Sequence, residues 1–442
     1  MKTNIDKRGG KASMRRIGSA LAAAAILSIP IGARATAYTA TGSGNWGDPD
    51  KWTPTGFPNS PEDSASAPKS SVTMTLADVN TNDASFTVKS IGASTGSMNF
   101  TVNNVDDGVG KLIFDNPEGN ASIYTVKNSK KRCDFNVGIV LNTNLSVKSL
   151  ASVGARFTKE ISSGADRTTG LIIASQTGTG SASSCTDVRI NAAASYTGET
   201  HIQGSNVTGS KGSQSGGARL MLGIANALPI ATVLHVEGAT APYYPQGGTL
   251  KLEGFNQEVA GLQGDAGYDP GKITTTTAST LTINNADDYD FAGNIGGATP
   301  TPVSLVKKGL GAQTLSGTNT YTGSTTVEAG TLVLAETGEL RFVLEDNGLA
   351  NAIVGDGTVQ LNGLLRVGTN ALTDVEGAWS LVETTTLTAS FGTSFTLAFE
   401  DGTTFTRRPN GIYWSDGGWA FSTATGTLAL NPPPPPTMIV VR

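Results

Sequence analysis

The chain has 442 residues, of which 55 are glycine, 15% are charged and 6% are aromatic, and its formal net charge is -5. Hydrophobic residues make up 38% of the sequence, enough for a folded core, so the composition excludes a disordered chain. The sequence has no collagen period, and it lacks the stripe of basic residues that is typical of nucleic-acid-binding proteins. Two histidines and two cysteines in the whole chain leave little material for metal chemistry, and we assign no catalytic, cofactor-binding or metal-binding residue.

The first 37 residues have the order of a secretory leader. Six basic residues precede the apolar run Ile17–Ile31, and small-residue A-x-A sites end at Ala35 and Ala37. The alternative is a membrane anchor, but an apolar run of about 15 residues is shorter than the roughly 20 that a spanning helix needs. The sequence therefore predicts a signal peptide over residues 1–37 and a mature chain without a membrane-spanning segment.

Short segments of alternating apolar residues recur after the leader, as in Val72–Leu76, Phe135–Leu141 and Leu281–Ile283. This alternation predicts strands, and the glycine, asparagine and aspartate clusters between them predict tight turns. The pattern predicts an all-β fold and leaves a sandwich, a barrel and a solenoid open.

Gly92–Gly96 fits the G-x-S-x-G pattern of a hydrolase nucleophile, but strands are predicted on both sides of it, so a glycine turn is favoured.

Cys133 and Cys185 form an even pair in a chain that is expected to be exported. We predict a disulfide between them that joins neighbouring coils of the fold. Two independent thiols are the alternative, and neither residue lies in the local sequence of a catalytic cysteine.

One turn-and-strand unit occurs twice, at Ser195–Ile202 and Thr320–Val327, and spaced copies of such a unit are expected in stacked coils. We assign a structural role to four residues of the two copies: Tyr196, Gly198, Tyr321 and Gly323. Each tyrosine is expected to pack over a corner of its coil with the hydroxyl at solvent or at a neighbouring turn, and each glycine to allow an unusual backbone angle. A tyrosine that stacks on a ligand is the alternative.

The two histidines are assigned to ordinary strand positions. His201 takes the place of Thr326 in the other copy of the unit, and His235 lies in a Val-Leu-His-Val strand. Ser205–Gly217, which is rich in glycine and serine, is a candidate binding loop, and a loop without a partner is favoured.

Aspartates cluster at Asp287, Asp288 and Asp290, and again at Asp106 and Asp107. Oxygen-rich loops of this kind can hold calcium, but neither spacing matches a known calcium loop, so turn capping is favoured and calcium is left open. The first cluster also supplies the candidate acids of a polysaccharide-cleaving enzyme.

The five tryptophans lie toward the two ends of the mature chain: Trp46, Trp52, Trp379, Trp414 and Trp419. We expect them to plug the ends of the core, and stacking on sugars is the alternative.

Three segments, Leu305–Gly311, Thr314–Gly323 and Glu328–Leu332, together resemble the autotransporter-associated β-strand repeat of bacterial passenger-type β-helix proteins. Segments that resemble common companions of this repeat lie elsewhere in the chain: Gly44–Trp52, Leu222–Pro229 and Leu252–Leu262. The resemblance implies a right-handed parallel β-helix, outside the cell or on the surface of a Gram-negative-type bacterium, and implies no catalytic residues. We therefore expect one elongated β-solenoid over residues 38–430, with about 20 to 25 residues per coil.

Residues 431–442, which include five consecutive prolines, are predicted to form an extended tail. A passenger that exports itself continues into a translocating membrane domain, so we expect this chain to be released or held by another component. The sequence as a whole predicts a secreted or cell-surface structural, adhesin-like protein without enzymatic activity. Its expected partners are extracellular polysaccharide or cell-surface components, and the alternative function is a β-helix polysaccharide lyase or glycoside hydrolase.

Overall fold

The computed structural model describes thirteen stretches of the chain: residues 35–67, 71–77, 84–93, 99–106, 108–125, 133–149, 154–174, 186–206, 217–240, 245–297, 300–373, 376–415 and 417–431. Nearly all of the predicted signal peptide and the proline tail lie outside them, so both stay predictions. Within the described stretches, no helix has the length and the apolar character needed to cross a membrane.

Strands alternate with short turns through the described residues, and a single 3₁₀ turn lies at Pro49–Lys51. The first group of strands is β1 Ala37–Ala40, β2 Gly44–Asn45, β3 Trp52–Thr53, β4 Ser60–Ala67, β5 Val72–Thr75, β6 Phe86–Ala93, β7 Phe100–Asn103, β8 Lys111–Phe114, β9 Ala121–Thr125, β10 Cys133–Asn136, β11 Gly138–Leu141, β12 Leu145–Ser149, β13 Ala155–Phe157, β14 Ile161–Ser163, β15 Leu171–Ala174, β16 Asp187–Ile190, β17 Thr200–Ile202, β18 Arg219–Leu222, β19 Val233–Val236 and β20 Thr249–Lys251.

The second group is β21 Gln257–Val259, β22 Gly261–Gln263, β23 Lys272–Thr274, β24 Ser279–Asn284, β25 Tyr289–Phe291, β26 Asn294–Ile295, β27 Val303–Lys308, β28 Ala312–Leu315, β29 Thr318–Asn319, β30 Thr325–Val327, β31 Thr331–Leu334, β32 Glu339–Glu345, β33 Leu349–Ala350, β34 Ile353–Gly355, β35 Thr358–Leu361, β36 Leu364–Gly368, β37 Gly377–Ser380, β38 Thr388–Phe391, β39 Thr396–Phe399, β40 Thr406–Arg407, β41 Ile412–Trp414, β42 Trp419–Ser422 and β43 Thr427–Leu430.

In five of the six sheets nearly all pairs of strands are parallel and come from successive passes of the chain, which is the arrangement of a parallel β-helix. One sheet runs β2-β5-β7-β10-β13-β16-β18-β20-β23-β26, and another runs β14-β11-β8-β6-β9-β12-β15-β17-β19-β22. Two ladders of this second sheet meet at β6, whose first residues pair with β8 and whose last residues pair with β9. Farther along the chain, three sheets continue the stack as β21-β24-β27-β30-β34, β25-β28-β31-β35-β38 and β29-β32-β36-β39.

The length of a coil varies more than the sequence predicts. Asp134 and Arg156, on neighbouring coils, are 22 residues apart, whereas Asn103 and Asn136 are 33 residues apart. The expected 20 to 25 residues therefore holds for some coils only. The strands of these coils nevertheless stay in register with one another.

The core is built from inward-facing columns, because in-register parallel strands place equivalent residues above one another. One column runs through the β5-to-β26 sheet, and every member is buried: Val72, Phe100, Cys133, Ala155, Val188, Leu220, Leu250, Ile273 and Ile295. Buried residues of the described chain form one hydrophobic cluster. Each coil thus buries its apolar face only against its neighbours, which explains why the fold needs a stack.

Aromatic residues close the two ends of the described stack. Trp46 and Trp52 are buried, with ring centroids 5.0 Å apart, and each indole N–H donates to a backbone carbonyl. At the other end, β37 and β40 to β43 form an antiparallel sheet in which Trp379 is buried against Trp419. These three buried tryptophans, Trp46, Trp52 and Trp379, favour the plug over sugar stacking. Trp414 is partly exposed, and the Arg408 guanidinium lies 5.4 Å from the centre of its ring.

Candidate functional site

The two histidines of the chain lie side by side on neighbouring coils. Their strands, β17 and β19, are parallel, and His201 and His235 are direct partners in the register. Both side chains point away from the core, since the residues that flank them on the strands are buried. The imidazole rings stack with centroids 4.1 Å apart and planes within 6°.

Two glutamates complete this cluster. Glu199 Oε2 lies 3.0 Å from His201 Nε2 and 3.3 Å from His235 Nε2, so one carboxylate oxygen contacts both rings. Glu237 Oε1 lies 3.1 Å from the other ring nitrogen of His201, Nδ1. The cluster is accessible from solvent, because the His201 side chain is 29% exposed and the Glu199 side chain is 55% exposed.

The surroundings separate the two histidines electrostatically. The hydrogen bond that His201 donates to the Glu237 carboxylate raises the pKa of His201, and the hydrogen bond to Glu199 adds to this effect. Burial lowers the pKa of His235, and the nearby charge of His201 acts in the same direction. The hydrogen bond with His201 lowers the pKa of Glu199, which favours its ionised form. These opposite shifts make His201 the more basic of the two histidines.

The four residues offer two imidazoles and two carboxylates, the mixture that transition metals prefer. Among the described residues, Glu199, His201 and His235 form the one group of three such side chains whose ligand atoms all lie within 4.8 Å of one another. A shallow cavity of about 300 Å³ opens beside Glu199 and His201 and extends to Asn144 and Ile172. Sequence reasoning placed both histidines on strands but missed that the strands align them.

The two repeat tyrosines occupy equivalent buried positions. Tyr196 and Tyr321 are 1% and 0% exposed, and each hydroxyl lies 2.6 Å from the threonine hydroxyl four residues later, Thr200 and Thr325. Burial raises the pKa of both phenols. The expectation that the hydroxyl reaches solvent or a neighbouring turn is therefore wrong, because the hydroxyl is enclosed in its own coil.

The two repeat glycines are needed for space rather than for an unusual backbone angle. Neither Gly198 nor Gly323 has a positive φ, so the expected reason for glycine is wrong. A Cβ atom at Gly323 would lie 2.4 Å from the carbonyl oxygen of Val303 in the preceding coil, and one at Gly198 would lie 2.7 Å from the carbonyl carbon of Thr169. Backbone atoms cannot yield as a flexible side chain can, so only glycine fits there.

Buried polar side chains hold the backbone around the second copy of the unit. Lys307 occupies an inward position between Ile283 and Val327 in the stack and is fully buried. Its ammonium group donates to the carbonyls of Lys308, of Gly309 at 3.0 Å and of Ala329 at 3.3 Å. Burial lowers the pKa of Lys307 to about 8. The side chain supplies donors to carbonyls at a turn where the strand ladder ends.

Asn319 has the same function one corner farther along the coil. It is fully buried, its Oδ1 atom accepts from the backbone N–H of Ile295 at 3.0 Å, and its Nδ2 atom donates to the carbonyl of Gly317 at 3.0 Å. The segment thus combines apolar core positions, close-approach glycines and internal polar side chains, all placed by the coil.

Residues 305–334 match the passenger-associated-transport-repeat. This match agrees with the resemblance that the sequence analysis places on the same residues. The passenger-associated-transport-repeat points to a passenger-type protein and, through it, to export to the surface of a Gram-negative bacterium. The chain has no detectable similarity to a curated protein or to a solved structure.

The passenger-associated-transport-repeat begins shortly after the aspartate cluster, and two of these aspartates bind the segment. Asp288 Oδ1 accepts from the backbone N–H of Ala312 at 2.7 Å, and Asp290 Oδ1 accepts from the hydroxyl of Ser316 at 2.7 Å. Asp287 contributes its carbonyl to the side chain of Asn285. The two carboxylates therefore cap the neighbouring coil, as turn capping predicts.

Other candidate positions are only partly described. Cys133 is buried at the start of β10, burial raises the pKa of its thiol to about 12, and Cys185 lies outside the described residues. Strand β13 lies between β10 and β16, the strand that follows Cys185 in the chain. The predicted disulfide therefore remains a prediction. Gly92 and Ala93 lie in β6, while the last three residues of the G-x-S-x-G pattern, Asp107 and most of the loop after Ser205 are outside the described residues.

Proposed function

We propose that this chain is an exported, cell-surface structural protein of passenger type that acts by adhesion and carries no enzymatic activity of its own. The observation that carries the proposal is the passenger-associated-transport-repeat at residues 305–334, set within a stack of parallel coils. Such a stack presents a long side surface on rigid strands, and its stability is distributed over many equivalent coils. Both properties suit a protein that holds a binding surface away from a cell.

The position of the acidic side chains supports a structural role over the alternative of a polysaccharide-cleaving enzyme. An enzyme of that kind needs carboxylates that converge on a bound sugar. Asp288 and Asp290 instead accept hydrogen bonds from the next coil, which engages one oxygen of each carboxylate. The proposal therefore assigns these two residues to coil-to-coil capping.

The partner class that we propose is an extracellular polysaccharide or another component of a cell surface. The described face of the stack has polar outward positions on most strands, as the alternating burial of β24 and β27 illustrates. Polar, nearly flat surfaces bind through many weak contacts, so we expect modest affinity for one ligand unit and strong dependence on multivalency.

The test is a combined binding and cleavage screen. The chain is purified after secretion and offered to a panel of extracellular polysaccharides with and without Ca²⁺, while reducing ends and unsaturated products are measured. Binding without new chain ends supports the proposal. Cleavage that is lost in Asp288→Asn/Asp290→Asn, with folding retained, overturns it in favour of the enzyme.

Export is tested separately on intact cells. We expect the N-terminus of the exported chain to follow residue 37 and the protein to be digested by protease added outside the cells. A chain that keeps its first residues and stays protected until lysis would contradict the proposed location.

A further inference from the structure

We propose that Glu199, His201 and His235 form a site for a divalent transition-metal ion, with zinc as the best match, that ties two neighbouring coils together. The inference rests on the geometry of this cluster and does not depend on the proposed adhesive function. Glu199 and His201 belong to one coil, and His235 belongs to the next, since β17 and β19 are neighbours in the sheet. An ion bound by all three would therefore cross-link the stack at this face.

Two of the three distances among the ligand atoms fit a single small ion. Zinc binds imidazole nitrogen at about 2.0–2.1 Å and carboxylate oxygen at about 2.0–2.2 Å, in tetrahedral geometry. Two ligands of a tetrahedron with bonds of this length are about 3.3 Å apart. Glu199 Oε2 lies 3.0 Å and 3.3 Å from the Nε2 atoms of His201 and His235, so two edges of the tetrahedron already have the required length.

The ring nitrogens supply the second argument. His235 Nε2 is shielded from solvent and makes no well-formed hydrogen bond within the described part of the chain, although it lies beside Glu199. A buried ring nitrogen without a donor or acceptor partner is costly, and a metal ion would satisfy it. The parallel rings must tilt toward a shared ion, and the broad χ2 preference of histidine permits that rotation.

Glu237 acts as the supporting residue. It contacts His201 Nδ1 at 3.1 Å, on the side of the ring opposite to the proposed ion. Histidine ligands commonly donate their second N–H to a carboxylate, which fixes the ring orientation and leaves the other nitrogen free to bind metal. Three protein ligands leave the fourth position of the tetrahedron for a water molecule.

The ligand set also selects the kind of ion. Calcium and magnesium prefer sites made of oxygen, whereas two imidazoles favour zinc and its neighbours in the first transition row. We therefore expect Zn²⁺ to bind here and Ca²⁺ not to bind here. This difference separates the site from the aspartate clusters that the sequence analysis considered for calcium.

The experiment measures bound Zn²⁺ and thermal stability in the secreted chain, purified without a histidine tag and stripped with EDTA. We expect the wild type to bind one more equivalent of Zn²⁺ than His201→Gln/His235→Gln, and its thermal midpoint to rise with Zn²⁺ but not with Ca²⁺. Glu237→Gln should keep the site and weaken Zn²⁺ binding by about 10- to 100-fold. Gln263→Ala is the matched control, since Gln263 follows His235 in the same outward ladder.

Two results would overturn the proposal. One is equal Zn²⁺ binding by the wild type and the double variant when both have the same midpoint in EDTA. The other applies even if the double variant does not fold: X-ray absorption of the Zn²⁺-loaded wild type that lacks the signature of two imidazole ligands. Two imidazoles in that spectrum, together with loss of the equivalent in the variant, would establish the site.

Discussion

Removal of a single hydroxyl from Tyr321 tests how the repeat stabilises its coil. The Tyr321 hydroxyl is enclosed and hydrogen-bonded to Thr325, whose side chain is 3% exposed. Within the described residues, Thr325 Oγ1 has no other hydrogen-bond partner. Tyr321→Phe keeps the ring and its packing, so the variant removes the hydrogen bond and leaves a buried threonine hydroxyl without a partner.

The first copy of the unit provides the comparison. The Tyr196 hydroxyl bonds to Thr200 in the same way, but Thr200 Oγ1 also lies 3.0 Å from the hydroxyl of Thr232 on the next coil. Loss of a typical hydrogen bond costs about 1 kcal/mol, and an unsatisfied buried group raises the cost to about 2 kcal/mol. We therefore expect Tyr321→Phe to lower the free energy of unfolding by about 2 kcal/mol and Tyr196→Phe by about 1 kcal/mol.

A double variant isolates the cause. Replacement of both partners by apolar groups of similar shape can be nearly neutral, so Tyr321→Phe/Thr325→Val should recover most of the loss. Tyr321→Ala, which also removes the buried ring, should cost about 4 kcal/mol. Urea unfolding followed by circular dichroism gives these values, and hydrogen exchange at residues 320–335 gives them locally if the coils unfold separately.

Tyr268, which is 63% exposed, supplies the control. Tyr268→Phe should leave the free energy of unfolding unchanged to within about 0.5 kcal/mol. If Tyr321→Phe is as mild as Tyr268→Phe, or if the double variant is no more stable than Tyr321→Phe, then the enclosed hydroxyl pair does not stabilise the coil and the reasoning fails.

The remaining predictions use other features of the stack. Gly323→Ala should destabilise the protein by about 2 kcal/mol or more, because the added Cβ would meet backbone atoms. Gly42→Ala, where an added Cβ has no atom within 4 Å, should be neutral in the same urea assay. Lys307→Met should destabilise by about 2 kcal/mol at pH 7 by leaving carbonyls without a donor. The pKa of Lys307 is about 8 in the folded protein and 10.5 in its ordinary state, so between these pH values the unfolded wild type binds more protons than the folded one. The free energy of unfolding of the wild type should therefore rise with pH from about 8 to 10.5, relative to that of Lys307→Met. A difference between the two proteins that does not change with pH contradicts this prediction. If Cys133 and Cys185 are paired, the unreduced chain in urea takes up no alkylating agent and the reduced chain takes up two, as mass spectrometry would show; two labels without reduction refute the disulfide.

Much of the fold could be predicted because its signals are local. Alternation such as Leu281–Ile283 marks the buried side of a strand without reference to any other coil, and the structure places both residues in the core. The passenger-associated-transport-repeat extends over 30 residues in one block, so its recognition also needs no distant partner.

The reasons for particular residues were harder to predict. A glycine that follows a threonine in the repeat is compatible with a positive φ and with close backbone approach, and only the position of Val303 distinguishes the two at Gly323. Lys307 has the side chain of a surface residue, and its alternation with apolar neighbours was the signal that it points inward. In both cases, the deciding contact comes from the adjacent coil, which a local pattern does not contain.

The histidine cluster shows why register between coils limits inference from sequence. His201 and His235 become partners because the chain between them makes one coil of 34 residues in the register of β17 with β19. A coil shorter by one residue would turn one imidazole toward the core, since alternate residues of a strand face opposite sides. In the sheet that contains β7, β10 and β13, the coil length changes from 33 to 22 residues between one pair of neighbouring strands and the next. No fixed period in the sequence could therefore have aligned the two histidines. Ligands that meet across coils, rather than along one strand, are therefore the sites that this class of fold conceals from its sequence.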